Sequence, residues 1–337
     1  MCPCGGRVPD GRFGAAALIA APNAAPNAAL ASAPSSHGGV DRSADGIAPV
    51  VTLDIRDWQP EVLPADSDRF AGLLEDGGVL VLPQLAFALD EGEQRFLDVR
   101  WSDGRAKNIS LDGAALHGAT GEPGDLAVLA ATIERFRRSA GTLVAALFPR
   151  YAPWLAGART SFRPQPASRP PASWRKDDTR LHVDAFPSRP NRGQRILRIF
   201  CNVNPNGVDR VWRVGERFEA MARRLLPRVR PMFPGEAALL AMFHVTRGRR
   251  SGYDHLMLNL HDRAKADLDY QATSPQREVR FRPGTTWLCF SDQVMHAAAS
   301  GQFMFEQTIH LPANALYRPD SSPFSVLERI TGRPLGR

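Results

Sequence analysis

Residues 179–190 read TRLHVDAFPSRP, and a second run, RILRIFCNVNP, follows at residues 195–205. His182 and Asp184 are two positions apart, so on a strand their side chains would point to the same face. An imidazole and a carboxylate on one face suit iron(II) or another borderline divalent cation. The tripeptide His-x-Asp also arises by chance, and a simple hydrogen-bonded pair is the alternative interpretation.

His296 supplies a third candidate ligand. It follows the apolar run 285–290 and the turn residues Ser291 and Asp292, and it precedes a strand predicted to begin near Phe303. A jelly-roll barrel brings such late strands beside the early ones. His182, Asp184 and His296 therefore predict a facial triad of two histidines and one carboxylate, which leaves metal positions open for a 2-oxo acid and dioxygen.

A 2-oxoglutarate oxygenase also needs a cation for the distal carboxylate of its cosubstrate, and arginine can bind it through two hydrogen bonds. Arg198 interrupts an apolar strand, so it must point into a cavity or find a partner. It is the predicted anchor, with Arg195 as the alternative and Asn202 as a further cosubstrate contact. Many oxygenases of this superfamily place the arginine about ten residues beyond the distal histidine, where this chain has Glu306.

The rest of the chain predicts helices around a β core. Helical periodicity covers residues 64–74 and about 125–148. Strand-like runs occur at residues 51–55, 79–82, 181–184, 196–203, 278–281, 285–290 and 303–311. The expected fold is α+β with a mainly β core, a double-stranded β-helix (jelly roll, cupin-like) with flanking helices.

Residues 1–48 are rich in Ala, Pro, Gly and Ser and predict a disordered low-complexity tail. Residues 49–337 predict a single oxygenase domain. A helical insertion at about 206–276 explains the long separation of Asp184 from His296. The candidate substrate contacts are Arg189, Tyr253 and His255, with Arg247, Arg249 and Arg250 as further hypothetical contacts.

Composition narrows the class of protein. The formal net charge is +7, and basic residues concentrate between Arg159 and Arg198. Such a patch suits an anionic partner, either phosphate, carboxylate, nucleic acid or a membrane surface, but arginines on a solvated face would look the same. No apolar run approaches the roughly 18 residues of a membrane span. The four cysteines do not form a disulfide framework, so a reducing cytoplasm is the expected setting.

The residues quoted above resemble the 3-deoxy-D-manno-oct-2-ulosonic acid (Kdo) hydroxylases of Gram-negative bacteria. The resemblance rests on residues 179–190, 198–205, 291–296 and 305–308, and it extends from about residue 50 to the end. It implies an Fe(II)- and 2-oxoglutarate-dependent dioxygenase, using O2, that hydroxylates carbon 3 of Kdo to give the Ko sugar of lipopolysaccharide. The implied metal ligands are His182, Asp184 and His296.

The same resemblance implies a Kdo-bearing lipid A substrate and a cytoplasmic enzyme in peripheral contact with the inner membrane. Basic residues without an aromatic stacking series argue against nucleic acid. Three alternatives remain open at this stage: a 2-oxoglutarate oxygenase acting on a protein or nucleic-acid side chain, a non-catalytic lipopolysaccharide-binding barrel, and a zinc hydrolase with Glu306 as general base. The sequence does not define the oligomeric state.

Overall fold

The structure is a computed structural model that describes residues 46–336, except 114, 158, 169–172, 188–189, 234 and 244–245. The strands are β1 (Val50–Thr52), β2 (Val79–Leu82), β3 (Ile109–Asp112), β4 (Ala115–His117), β5 (Arg159–Arg163), β6 (Arg195–Asn202), β7 (Arg210–Gly215), β8 (Gln276–Phe281), β9 (Thr286–Phe290), β10 (His296–Ser300) and β11 (Met304–Leu311). The helices are α1 (Pro64–Glu75), α2 (Glu91–Gln94), α3 (Pro123–Leu147), α4 (Phe218–Leu225), α5 (Glu236–Met242), α6 (Gly252–Ala266), α7 (Leu268–Thr273) and α8 (Pro323–Thr331).

The described strands form two sheets. The larger has the order β1-β2-β9-β6-β11-β5-β3-β4, and the smaller has the order β10-β7-β8. Aromatic rings fill the space between them: Phe281 stacks on Trp287 with ring centroids 4.0 Å apart, and Phe200 meets Trp212 at 5.0 Å. The mainly β, cupin-like prediction is confirmed, but the described strands do not close into one continuous barrel.

Helix α3 covers the other face of the larger sheet and thereby decides which strand residues face inward. Its buried positions include Ile133 and Phe136, and the Phe136 ring lies 5.2 Å from that of Phe305 on β11. Side chains alternate along a strand, so Glu306, the neighbour of Phe305, points between the two sheets. Arg198 is paired across from Thr308 on β11 and shares that inner face.

The predicted helical insertion at about 206–276 is wrong at its start. Residues 210–215 form β7, the middle strand of the smaller sheet, and Val214 pairs with His296 of β10. The segment is short, and arginines at positions 210 and 213 interrupt its apolar residues, so its strand pattern is weak. Helices α4, α5, α6 and α7 lie between Phe218 and Thr273.

The predicted strand at residues 181–184 is reduced to a single bridge between His182 and His296. The predicted tail also ends earlier than residue 48. Ile47 and Ala48 are buried, and the Ala48 amide donates to the carbonyl of Gly215 at 3.0 Å. Residues 1–45 of that tail lie outside the described residues. Among the described residues, which belong to one compact unit, no helix is long and apolar enough to cross a bilayer.

Candidate metal centre

Three sequence-predicted ligands converge at the end of the smaller sheet. The backbones of His182 and His296 exchange two hydrogen bonds, of 3.0 and 2.9 Å, and their ring centroids are 4.6 Å apart. Nε2 of His182 is 3.7 Å from Oδ1 of Asp184. The candidate ligand atoms of the three residues all lie within 4.8 Å of one another. One divalent cation can therefore be reached by two imidazoles and one carboxylate.

The hydrogen bonds of both rings suit metal binding. Nδ1 of His182 lies 2.7 Å from the carbonyl oxygen of Arg180, and Nδ1 of His296 lies 2.9 Å from that of Val294. A carbonyl oxygen only accepts, so each Nδ1 must carry the proton and donate it. Each Nε2 is then left with its lone pair. This backbone support of the distal nitrogen is typical of metal-ligating histidines.

Burial and neighbouring charges hold the three groups in the ionisation states that a metal needs. Burial lowers the pKa of His182 well below its usual value, and His296 and Lys265 lower it further. Burial also lowers the pKa of His296. For Asp184 burial would raise the pKa, but the Arg198 guanidinium outweighs it and holds the pKa below its usual range. The site thus presents two neutral imidazoles and one carboxylate without releasing protons.

Arg198 positions the carboxylate ligand. Its Nη2 forms an ion pair with Oδ2 of Asp184 at 3.0 Å, while its Nη1 donates to Oε1 of Glu306 at 2.6 Å. Burial would lower the pKa of Arg198, but these two carboxylates raise it above its usual value. Its charge is therefore already balanced by two acidic partners, one of them a candidate metal ligand.

Two neighbouring cavities meet at Arg198. The first, the metal cavity, has a volume of about 240 Å³ and contains the triad. Its other lining residues are Lys107, Asn108, Arg163, Asp178, Arg198, Phe200, Arg210, Trp212, Ala298, Met304 and Glu306. The second, the outer cavity, has a volume of about 490 Å³ and shares Asn108, Arg198 and Glu306 with the first. A ligand bound in the outer cavity would thus lie next to the metal cavity.

Arg210, at the start of β7, is a cavity residue that sequence reasoning missed. It is buried, and its Nη1 donates to the carbonyl of Gly301 at 3.0 Å. Its Nε has no hydrogen-bond partner, and no carboxylate of the described residues lies within ion-pair distance. Burial, reinforced by Arg163, lowers the pKa of Arg210 below its usual value. In the sequence, Arg210 lies beside the apolar residues of β7, and this pattern could have indicated a buried arginine. The segment was instead predicted to be part of a helical insertion.

Arg163 stands near Arg210 but is already paired. It donates to Oδ1 of Asn108 at 2.9 Å and to Oδ2 of Asp178 at 3.2 Å. Asp178 is also contacted by Lys107. Burial would raise the pKa of Asp178, but these two cations hold it below its usual range. Arg210 is thus the guanidinium of the metal cavity that lacks an acidic partner among the described residues.

The structure does not bring Arg195 or Asn202 to either cavity. Nε of Arg195 donates to Oδ2 of Asp292 at 2.8 Å, and its Nη2 donates to Oε1 of Gln293 at 2.5 Å. Nδ2 of Asn202 donates to two backbone carbonyls, of Val208 at 3.1 Å and of Phe281 at 2.9 Å. Both side chains are therefore used to hold the fold together.

The predicted substrate residues Tyr253 and His255 are also buried away from the two cavities. The Tyr253 ring packs 5.3 Å from that of Phe324 on α8, within a separate apolar core. Nε2 of His255 lies 2.9 Å from the carbonyl oxygen of Arg230. Their positions on α6 favour a structural role. Arg189, the third candidate, lies outside the described residues.

Comparisons with known proteins agree with this geometry. The family model for 3-deoxy-D-manno-oct-2-ulosonic acid (Kdo) hydroxylase matches residues 57–334. The chain is similar to the crystal structure of the Kdo hydroxylase KdoO, a non-heme Fe(II) α-ketoglutarate-dependent dioxygenase, in complex with cobalt(II). That match has 45% identity and a TM-score of 0.81, and it covers 85% of this chain and 97% of that chain.

The same hydroxylase in complex with α-ketoglutarate and Fe(III) matches with 44% identity, a TM-score of 0.80 and the same coverage, 85% and 97%. Its complex with succinate and Fe(III) gives equal values of 44% and 0.80. No curated protein sequence matches the chain. The family match covers most of the chain, and the solved relatives exceed 40% identity over nearly their whole length. The chain therefore belongs to the Kdo hydroxylase family.

Proposed function

We propose that this protein is an Fe(II)- and 2-oxoglutarate-dependent dioxygenase that hydroxylates carbon 3 of Kdo. The observation that carries the proposal is the triad of His182, Asp184 and His296, whose candidate ligand atoms lie within 4.8 Å of one another. Overall, one oxygen atom of O2 enters the C–H bond of the sugar and the other enters succinate, while 2-oxoglutarate loses carbon dioxide. The non-catalytic and hydrolytic alternatives do not require this cosubstrate.

The donor set fits iron. Two Nε2 lone pairs and one carboxylate oxygen suit a non-haem iron(II) site with open positions. His182, Asp184 and His296 would hold the ion, and iron with its cosubstrates supplies an oxidant able to attack an unactivated C–H bond. The carbonyls of Arg180 and Val294 orient the two rings, and Arg198 orients Asp184.

Apolar side chains form one wall of the metal cavity. The Trp212 ring stacks on His296 with centroids 5.0 Å apart and an interplanar angle of 26°. Phe200 and Met304 line the same cavity and are almost fully buried. An apolar wall beside the metal ligands strengthens electrostatic interactions within the cavity. It also limits side reactions with water.

Arg210, rather than Arg198, is the cation that we assign to the distal carboxylate of 2-oxoglutarate. Arg198 already has two carboxylate partners, and a third would be repelled by Asp184 and Glu306. Arg210 is buried in the same cavity and, among the described residues, has no carboxylate within ion-pair distance. A desolvated charge without a counter-ion is costly, so a bound carboxylate would gain most there.

The outer cavity is proposed as the site of the sugar acid. Asn108, Ser110 and Thr308 line it with amide and hydroxyl groups, as sugar hydroxyls require, and Arg159 adds a cation for a carboxylate. Its junction with the metal cavity at Arg198 and Glu306 would bring the reacting carbon toward the metal. By extension, the substrate is the Kdo unit of a lipid A glycolipid, met at the cytoplasmic face of the inner membrane.

The decisive experiment is an anaerobic titration of the metal-free protein with ferrous iron and 2-oxoglutarate. A weak visible charge-transfer band is expected in the wild type and is expected to be absent in His182→Ala. A Kdo-bearing lipid A substrate should then gain one oxygen atom in air, as measured by mass spectrometry. Iron binding without the band would overturn the cosubstrate assignment, and a band without hydroxylated Kdo would point to another acceptor.

A further inference from the structure

An unusual concentration of exposed apolar side chains lies within residues 233–243. Four of the ten large exposed apolar side chains of the described residues are in this segment. Phe233, Leu239, Met242 and Phe243, which we call the apolar patch, have exposed fractions between 53% and 69%. Single exposed apolar residues need no explanation, but a cluster of large ones indicates an interaction surface.

The local structure places three of these side chains on one side of a short helix. Leu239, Met242 and Phe243 have the spacing i, i+3 and i+4 at the end of α5, and such positions share one helix face. Arg230 and the Phe233 amide bind the Glu236 carboxylate at the helix start. Hydrogen bonds to Glu236 therefore fix the start of helix α5, while its apolar face is exposed to solvent.

The segment that carries the apolar patch is rich in arginine. Residues 228–250 contain five arginines and a single acidic residue, Glu236. Arg247 and Arg249 are exposed, and no carboxylate of the described residues forms an ion pair with either. Apolar side chains next to unpaired arginines are typical of segments that lie in the interface of an anionic bilayer.

The basic end of this segment lies beside the outer cavity. Nη2 of Arg250 donates to the carbonyl of Pro187 at 2.8 Å, and Pro187 lines the outer cavity. Arg247 lines an adjoining depression together with Asn191 and Gln194, which also line the outer cavity. A surface bound by the segment would thus lie next to the proposed sugar site.

We propose that the apolar patch, with Arg247 and Arg249, docks the enzyme onto an anionic lipid bilayer and so presents the outer cavity to a lipid-linked sugar. This inference rests on the proposed function, because docking at a bilayer matters for the reaction only if the substrate is a lipid-linked sugar. The charge favours a bilayer over a second copy of the chain, since two copies meeting at this patch would bring like-charged arginines together.

Vesicle flotation of the full chain tests the proposal. The probes are vesicles of phosphatidylcholine alone and of phosphatidylcholine mixed with phosphatidylglycerol. The wild type is expected to float with the anionic vesicles and to dissociate as salt is raised. The combined variant Phe233→Ser, Met242→Ser and Phe243→Ser should reduce binding on the order of tenfold. Arg247→Gln with Arg249→Gln should remove the preference for anionic lipid.

Leu63→Ser with Leu268→Ser is the matched control, because these side chains are 70% and 65% exposed and lie outside the segment. The control should bind vesicles like the wild type. Equal flotation of the patch variant and the wild type would overturn the proposal. A wild type that binds no vesicle but loses self-association on the patch substitutions would overturn it in favour of a second copy.

Activity separates this inference from the proposed function. The patch variant should lose hydroxylation of vesicle-embedded Kdo-lipid A but retain it on a deacylated, water-soluble Kdo oligosaccharide. Equal loss on both substrates would contradict a docking role. If the wild type hydroxylates neither substrate, the proposed function fails, and flotation still decides whether the patch binds membranes.

Discussion

Arg195 and Arg210 are both almost fully buried, but the groups that surround their guanidinium charges differ. Arg195 is 0% exposed and Arg210 is 1% exposed. Arg195 has the buried carboxylate of Asp292 at 2.8 Å, the amide oxygen of Gln293 and the face of Phe290 at 3.9 Å, although its Nη1 has no partner. Arg210 has one backbone carbonyl and no carboxylate among the described residues within ion-pair distance.

The difference shows how burial alone fails to identify a functional residue. A buried charge with its counter-ion in place contributes to the fold, and its removal leaves the partner uncompensated. A buried charge without a counter-ion destabilises the ligand-free protein and is explained when a ligand brings the missing charge. Arg198 stands between the two, since its carboxylate partners are present but one of them is a candidate metal ligand.

The largest expected effect is on stability at Arg195. Arg195→Met should lower the free energy of unfolding by about 3–5 kcal/mol, because it leaves Asp292 buried without its cation. The same substitution at Arg210 should leave the free energy of unfolding of the ligand-free protein unchanged or raise it. Chemical denaturation of both variants in the presence of a metal chelator measures the contrast. Equal losses of unfolding free energy in the two variants would contradict the proposed difference between Arg195 and Arg210.

A smaller effect is expected on cosubstrate affinity at Arg210. Arg210→Met should weaken 2-oxoglutarate binding by about 1.5–3 kcal/mol, the range for a hydrogen bond to a charged group. This corresponds to a loss of about tenfold to a hundredfold in affinity. Titration of the charge-transfer band in the iron-loaded protein gives the dissociation constant, and iron affinity measured alone should be unchanged.

Arg198→Gln sharpens the same test, because the two assignments of the anchor predict different outcomes. If Arg198 positions Asp184, its substitution should weaken iron binding by about 10–100-fold, as loss of a group that supports a metal ligand does. At saturating iron, 2-oxoglutarate affinity should then be close to that of the wild type. A selective loss of 2-oxoglutarate affinity in this variant would restore Arg198 as the anchor.

The sequence predicted His182 and Asp184 from a local pattern, and His296 from the expectation that a jelly roll brings its late strands beside its early ones. His182 and Asp184 are two residues apart, and a histidine between two late strands is enough to place His296 near them. Arg210 was missed because an unpaired charge is a property of the tertiary structure. Arg195 was predicted as an alternative anchor because its partners, Asp292 and Gln293, are distant in the sequence and become visible only in the tertiary structure. The boundary of the helical insertion failed because β7 is short and contains arginines.

The smallest expected effect is the pH dependence of the metal-free protein. In the folded state the pKa values of His182 and His296 are lowered by burial, whereas in the unfolded chain a histidine titrates near pH 6.5. Below that pH the unfolded state binds more protons, so stability falls as the pH falls, by at most about 1.4 kcal/mol per pH unit for each histidine. Asp184 titrates in a more acidic window, because its unfolded pKa is about 3.9.

Denaturation of the metal-free protein between pH 7.5 and 5 therefore measures the two histidines together with the other titrating groups. The double variant His182→Ala and His296→Ala removes their share, so its stability should depend less steeply on pH than that of the wild type. Leu63→Ser, at a side chain that is 70% exposed and carries no ionisable group, should keep the wild-type slope. An unchanged slope in the double variant would mean that both imidazoles are as easily protonated in the folded protein as in the unfolded chain. That result would contradict the inference that the metal cavity holds two neutral imidazoles in the metal-free protein.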